Sequence, residues 1–578
     1  MIHHRPIFTP IRFVMNVLLA LSVSGSLMGG EFEVDDVMYT DPVLPQQPMK
    51  MVFSKKYKPL WLQALRQPKA ELQLRAASTI GLAHTKGMPD LADTADDLVQ
   101  VLESEDQNPL VKVAVAQTLV ILESKSQASV LMQYAGDSKS MARTIEPALG
   151  RWGHRPLLQA WQERIQQPST DRESLLLAIR GLAVAGVTAA SDPLLKLVNT
   201  VDLPADVRLA AAASVGQLKS SELEAQSQQY ADAPGKPPIV GQLIAAHLLA
   251  THEGDRVVDQ LASMTVAFQP AAAAISGRRL LALDAERCVS LADRLSVSPD
   301  AKLRQLAAAS YVARPTGERM SPLSVLMDDV HPEVRRYARV ELQRLADQPE
   351  LLQPILAAAM EMLGSGQWRG LEQSGLLLGA LDHKPAADRL VELLDYEREE
   401  VGVAAAWALR KFQIAATLPA MLRRAQKNKT APIGGSEQQE QLFQAFGLMR
   451  YQPADKLLQT YIPKGSGGPR VGAIWALGHL YDGKNPRELV EKLTERVKDE
   501  SLFPPEMPEV KAWASVSIGR MLGRSALPTL RHYWDFEGRN SEFGQATAWA
   551  IHQMTGEPIP KPTLGLTTIP NWFLRPLD

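Results

Sequence analysis

The sequence predicts an all-α solenoid, an array of helix-turn-helix units, and three observations point there. At 578 residues the chain exceeds what one core supports, because cores stop growing beyond about 250 to 300 residues and longer chains divide or repeat. Hydrophobic residues make up 45% and charged residues 22%, a globular balance. Above all, one stripe of small and apolar residues recurs at helical spacing: Val207, Ala211, Val215 and Leu218, then Val334, Ala338, Leu342 and Leu345. It returns as Val401, Ala405, Leu409 and Phe412, as Val510, Ala514, Ile518 and Met521, and as Phe543, Thr547, Ile551 and Met554.

The first element stands apart from the repeats. In residues 1–30, Arg5 and Arg12 precede the apolar run FVMNVLLALSV (13–23), and small residues at Ser22, Ser24, Gly25 and Ser26 follow. That order is the signature of an export signal, and the run is shorter than the roughly 20 apolar residues of a membrane span. The expectation is an exported protein, periplasmic or secreted, cut between about residues 25 and 31, with no stable membrane span afterwards. Cys288 is the only cysteine, which excludes an internal disulfide and a paired-cysteine metal site. Residues 31–54 carry Pro42, Pro45 and Pro48 without helical period and read as a linker or arm.

Residues 55–556 hold the repeats. Taking Arg208 as the reference position, equivalents fall at Gln73, Lys112, Ala142, Glu173, Gly241, Gln269, Arg304, Arg335, Leu371, Gly402, Gln441, Arg470, Lys511 and Gly544. Their mean spacing, about 34 residues, is in the range of solenoid repeats, and there are about 15 units. Each anchored segment is the second helix of a pair, and runs such as LLQPILAAAMEML (351–363) supply the first. The segments PEVRRYARVELQRL (332–345), ADVRLAAAASVGQL (205–218) and GPRVGAIWALGHL (468–480) share a Val-Arg entry or its equivalent, small residues, and a Leu-Gly or equivalent exit.

Those segments resemble HEAT repeats of the short kind found in phycobilisome-lyase-like and other armadillo-like helical proteins. The resemblance covers roughly residues 55–556 and implies a superhelix of stacked helix pairs. It implies little about activity, since such arrays serve scaffolding, transport, nucleic-acid binding and occasional catalysis.

Catalysis has no motif here: HExxH, GxSxG, the phosphate-binding loop and GxGxxG are all missing from the sequence. The deoxyhypusine hydroxylases, a HEAT-like enzyme class, use several His-Glu pairs for two irons, whereas this chain has His252-Glu253 alone. His247 and His252 are five apart and fall on different helix faces, so no metal site or cofactor is expected. A formal net charge of -2 offers nucleic acid no general attraction. A lyase-like or enzyme-associated subunit holding a small molecule in its groove is the alternative class.

Two features rise above the repeat background. Five positions after the reference residue, the later helices carry Trp407, Phe446, Trp475, Val516 and Trp549, with Trp513 one turn away. At 100° per residue Trp407 lies about 155° from the centre of its buried stripe, on the side that lines the concave surface of a HEAT-like superhelix. Trp407, Phe446, Trp475, Trp513 and Trp549 are therefore the candidate binding residues for a protein or peptide partner. The competing arrangement leans each tryptophan sideways onto the small residues of the neighbouring helix. The second feature is a set of long turns, MLGSGQWRG (362–370), APIGGSEQQE (431–440), PKGSGGPR (463–470) and FPPEMPE (503–509), all on one edge. PKGSGGPR offers backbone N–H groups to an anion, although it lacks phosphate-loop spacing and reads first as a connector.

The tail 557–578 has five prolines and cannot be another repeat. It ends in Trp572, Phe573 and Leu574, an apolar cluster costly to leave in water. The expectation is that it caps the last repeats or occupies the groove near Trp513 and Trp549.

Overall fold

The computed structural model describes residues 35–578 apart from 106, 168–170, 233–237, 430–435, 464–466, 500–505, 569–572 and 575–578. The export segment, Trp572 and several of the glycine-rich turns lie outside the described residues. From Asp36 onward the chain forms one compact unit.

The described residues hold thirty α-helices, which follow one another as consecutive pairs from the first, α1 (Tyr57–Leu65), to the last, which ends at Thr555. The second helices stack in one unbroken series from Ala70–Thr85 through Ala205–Leu218 and Trp368–Ala380 to the last five. Those five are α2 (Glu399–Phe412), α3 (Ser436–Leu448), α4 (Gly467–Leu480), α5 (Pro508–Arg520) and α6 (Glu542–Thr555). The predicted stripe is the core: Val401, Ala405, Leu409 and Phe412 are buried on α2, and Val510, Ala514, Ile518 and Met521 on α5.

The repeated motif has a local physical cause at each end. At the entry, the reference side chain reaches back to carbonyls left open near the end of the preceding helix. Arg208 Nε donates to the Val198 carbonyl at 3.0 Å, Arg470 Nε to Ile462 at 3.0 Å, and Gln73 Nε2 to Leu65 at 3.1 Å. At the exit, glycine removes a Cβ where the next helix crosses. A Cβ on Gly447 would stand 2.7 Å from the Trp475 ring and 2.9 Å from Ala476 Cα. One on Gly379 would meet the Trp407 ring at 2.5 Å, and one on Gly519 would meet Ala550 Cα at 2.6 Å. Close approach of successive helices, which the four alanines of 210–213 also serve, makes the stack its own core.

Three of the predicted reference positions need correction. In most second helices the reference residue is the fourth helical residue, as Arg208, Gly402, Arg470 and Lys511 are. By that rule Gln441 slips to Gln439, Glu173 to Leu175 and Gln269 to Ala273, whereas Gly544, third in α6, keeps its register because Trp549 and Ala550 meet Gly519 as Trp475 and Ala476 meet Gly447. The first shift changes the candidate site, as described below.

The arm and the tail pair with each other. β1 (Met49–Met51) lies parallel to β2 (Gly565–Thr567), with Met49 opposite Gly565 and Met51 opposite Thr567. Before β2 the tail lies on the last helix pair: Glu557 pairs with Arg531, and Gln545 Nε2 donates to the Pro560 carbonyl at 3.1 Å. Beyond β2 it reaches the first repeat, where the Phe573 carbonyl accepts from Trp61 Nε1 at 2.7 Å and Phe573 packs against the core of the first repeats. Among the described residues, the tail does not line the groove beside Trp513. The arm does.

Candidate functional site

The site is a face of α3 to α6 crossed by residues 36–47. The arm touches Gln444 on α3, Trp475 and His479 on α4, and Trp513 and Arg520 on α5. These belong to i, i+3, i+7 stripes along one side of each helix: Gln441, Gln444 and Leu448; Gly472, Trp475 and His479; Trp513, Val516 and Arg520; with Ala546, Trp549 and Gln553 the corresponding stripe of α6. These stripes lie away from the buried core stripe, on the side the sequence assigned to a groove.

At the head of the arm, Asp36 caps a single 3-10 turn (Val37–Thr40) by accepting from Met38 N at 3.0 Å. Gln444 grips the same turn twice, its Nε2 donating to Asp36 Oδ1 at 2.7 Å and its Oε1 accepting from Val37 N at 3.3 Å. Met38 is buried, and the Tyr39 ring meets Trp513 edge-on at 6.1 Å.

The strongest contact is at Asp41. Its backbone carbonyl accepts from Trp475 Nε1 and from Arg520 Nη2, both at 2.8 Å. Its carboxylate accepts from Arg520 Nη2 at 2.6 Å and stands 3.3 Å from His479 Nε2. Charge-assisted bonds of this kind are the stronger class of hydrogen bond. Burial, with Arg520 second, pushes the His479 imidazole down to about 4, so it is neutral beside Asp41 at neutral pH.

The other end of the face is acidic. Glu440 is hydrogen-bonded to Asp36, and burial followed by that neighbour, Glu437 and Glu509 pushes its carboxyl up to about 8. Burial, then the carboxylates of Glu509, Asp36, Glu440 and Glu542, push the Tyr39 phenol up to about 12.

The aromatic row does not stand open. Trp475 is 0% exposed, Trp513 1% and Trp407 7%, while Trp549 is half-buried. Two causes combine: Trp407, Trp475 and Trp549 lean sideways onto Gly379, Gly447 and Gly519, and the arm covers Trp475 and Trp513. The faces of two tryptophans also meet cations, with Lys411 Nζ 5.7 Å from the centre of the Trp407 ring and the Arg520 guanidinium 5.7 Å from that of Trp549.

Phe446 belongs elsewhere. With Gln439 as the reference residue of α3, Phe446 takes the core position that Leu409 holds on α2, and it is fully buried. The position equivalent to Trp407 and Trp475 is Gln444. One signal in the sequence marks it, the glycine three residues later in QAFG (444–447) as in WALG (475–478), and the structure adds a left-handed residue six later, Arg450 here and Gln413 after Trp407. Asp36, Asp41, His479 and Arg520 carried no such signal, because the pairings that join the arm to the face span more than 400 residues of chain.

The remaining candidates resolve locally. Arg470, at the end of PKGSGGPR, is bonded to Glu506 at 2.8 and 2.7 Å, so the anion it attracts is internal. Glu253 pairs with Arg279 at 3.3 Å, and burial pushes the His252 imidazole down. Among the described residues no three His, Cys, Asp or Glu side chains gather for a metal, and no helix is long and apolar enough to cross a membrane.

No family model and no curated protein matches the chain. Solved structures do. Kap95p in its complex with RanGDP superposes with a TM-score of 0.51 at 13% identity, over 87% of this chain and 72% of that one. Kap121p bound to Pho4p superposes with a TM-score of 0.51 at 12% identity, over 87% of this chain and 58% of that one. Yeast importin-β (Kap95p) in another structure has a TM-score of 0.49 at 13% identity, over 86% and 78% of the two chains. At such identities the likeness concerns architecture alone. Together with the stacked helix pairs, the two likenesses at a TM-score of 0.51 make this chain's fold an all-α solenoid.

Proposed function

We propose that the protein is a non-catalytic scaffold that binds a protein or peptide partner as an extended segment across the face of α3 to α6. The observation that carries this reading is the seat of residues 36–41. A stretch with one turn of 3-10 helix is held there through main chain and side chains together, by Gln444, Trp475 and Arg520. Main-chain bonds supply affinity and pocketed side chains supply specificity in extended-peptide recognition. Kap121p, a solenoid of similar fold, is described in complex with Pho4p, which accords with a protein partner.

The role of the tryptophans is to build this face and, through Trp475 and Trp513, to meet the segment from below. Nucleic acid is disfavoured by the net charge of -2 and by the carboxylates of Glu437 and Glu509 along the face. The segment 1–30 directs export, and the partner is met in the periplasm or outside the cell. A small-molecule role has one observation in its favour, a cavity of about 260 Å3 between the arm and Trp513, Asn540 and Glu542. Affinity capture from the exported fraction with wild type and with Arg520→Ala tests the scaffold reading. Partners retained equally by both proteins would place binding elsewhere.

A further inference from the structure

The arm fits its seat imperfectly in two places, and both misfits concern groups that a different segment would satisfy. The first is charge. Asp36 is set against Glu440, with Glu437 and Glu509 also close to that carboxyl, while no cation among the described residues pairs with Asp36 there. The useful contacts of Asp36 need only a side-chain oxygen, which accepts from Met38 N and from Gln444 Nε2. Asparagine caps as well as aspartate, supplies that oxygen, and adds an N–H that a carboxylate such as Glu440 accepts.

The second misfit is a buried donor. The indole N–H of Trp475 has the Asp41 carbonyl, whereas that of Trp513, equally buried, has no acceptor among the described residues. Gln441 Oε1, three residues before Gln444 on the same side of α3, is buried without a donor as well. Buried polar groups left without partners are penalised, so an occupant that supplied them would displace one that does not.

We infer that residues 36–41 are a displaceable placeholder, and that the face of α3 to α6 is built for a partner segment with an uncharged Asn-class residue five positions before an Asp. The Asp enters the clamp of Arg520, His479 and Trp475. The uncharged residue bridges Gln444 and Glu440, and an apolar residue fills the Met38 position. This inference rests on the proposed function, since it names the partner chemistry of the same site.

The test uses the full chain and two labelled peptides, DVMYTDPVL, which is the arm itself (36–44), and its Asp36→Asn counterpart, with fluorescence anisotropy at pH 7.5. The Asn peptide is expected to bind about tenfold tighter than the Asp peptide, and the gap should narrow as pH falls toward 4.5, where Glu440 holds its proton whichever peptide is bound. In the chain, Asp36→Asn improves the placeholder, so both peptides should bind about tenfold more weakly and hydrogen exchange at 36–41 should slow. Equal affinity of the two peptides, or unchanged peptide binding by the Asp36→Asn chain, overturns the inference. Asp41→Ala and Tyr39→Ala chains, whose own arms are loosened, separate this from the broader reading. If neither peptide binds even to these, the face takes no extended segment and the proposed function falls with the inference.

Discussion

Arg520 places one Nη2 nitrogen against both the carbonyl and the carboxylate of Asp41, at 2.8 and 2.6 Å, across 479 residues of chain. A single side chain thereby ties the segment before the first repeat to the next-to-last second helix. The side chain of Arg520 is 12% exposed and that of Asp41 43%, so the pair is screened from one side only. Arg520→Ala should free residues 36–41 and raise their hydrogen exchange by about tenfold, with a cost of about 1 to 2 kcal/mol in arm docking after allowance for that screening. In a double-mutant cycle with Asp41→Ala, a coupling within about 0.3 kcal/mol of zero would show that the contact holds nothing.

Glycine at the helix exit makes a second, sharper expectation. Gly447→Ala brings a Cβ to within 2.7 Å of the Trp475 ring and 2.9 Å of Ala476 Cα. Overpacking of that kind costs about 1 to 3 kcal/mol. Gly364→Ala is the control, because it has nothing within 4 Å and lies within a helix, where alanine is favoured by up to about 1 kcal/mol. Denaturant melts should move in opposite directions for the two variants. A neutral Gly447→Ala would mean that α4 stands off from α3.

Trp475→Ala follows from the same contact. With the ring fully buried between Gly447 and the arm, its loss should cost about 3 to 5 kcal/mol, as for other buried aromatics, and not the small change expected of an open groove residue. Thermal or denaturant unfolding reads the difference directly.

The face also carries an acid-base signature. Glu440 titrates at about 8 in the folded chain against an ordinary 4.5, because of burial and then of Asp36, Glu437 and Glu509. The folded state holds a proton that the unfolded state has lost, so this group's contribution falls as pH rises from about 4.5 to about 8. His479 acts oppositely. Held down at about 4 against an ordinary 6.5, it is neutral when folded, and its contribution is lost as pH falls from 6.5 toward 4. The two slopes offset each other between roughly 4.5 and 6.5, which leaves a decline toward alkaline pH as the visible effect. Glu440→Gln should flatten stability between pH 6.5 and 8, and an unchanged slope would show that Glu440 is already ionised.

What the sequence disclosed, and what it withheld, follows from the range of each interaction. The reference arginines and exit glycines were legible because their partners lie within one repeat or the next: Arg208 reaches Val198, and Gly447 meets Trp475. Of the aromatic row, Trp475 and Trp513 meet the arm, whereas Phe446 is in the core and Gln444 holds the position expected for it. In α3 two apolar residues of the core, Leu442 and Phe446, flank that polar position, and an apolar pattern cannot mark a glutamine. The arm was recognised only by its prolines. Its anchoring residues Asp36 and Asp41 look like ordinary linker acids until helices more than 400 residues later are brought beside them.

The tail offers the last expectation. Its prolines and terminal aromatics suggested a cap on the final repeats, and residues 557–563 do lie there, with Glu557 on Arg531 and Thr563 N bonded to Asn540 Oδ1 at 2.9 Å. The apolar end is used at the other end of the array. Phe573 packs against the first repeats and its carbonyl takes the indole proton of Trp61, a side chain with 0% exposure that stacks on Tyr57 at 5.6 Å. Truncation after Gly556 removes that acceptor, strips the apolar cover from Trp61 and deletes the partner strand of β1. An unpaired buried indole alone costs about 1 to 3 kcal/mol, and the lost aromatic burial adds to it. Hydrogen exchange should therefore rise in Tyr57–Leu65 and Ala70–Thr85, some 500 residues from the cut, as well as in Glu542–Thr555. The arm should loosen with β1, and Tyr39 should leave Trp513, which indole fluorescence reports. If exchange rises only in the last helix pair, the tail is a simple end cap, and the link it makes to the first repeat holds nothing.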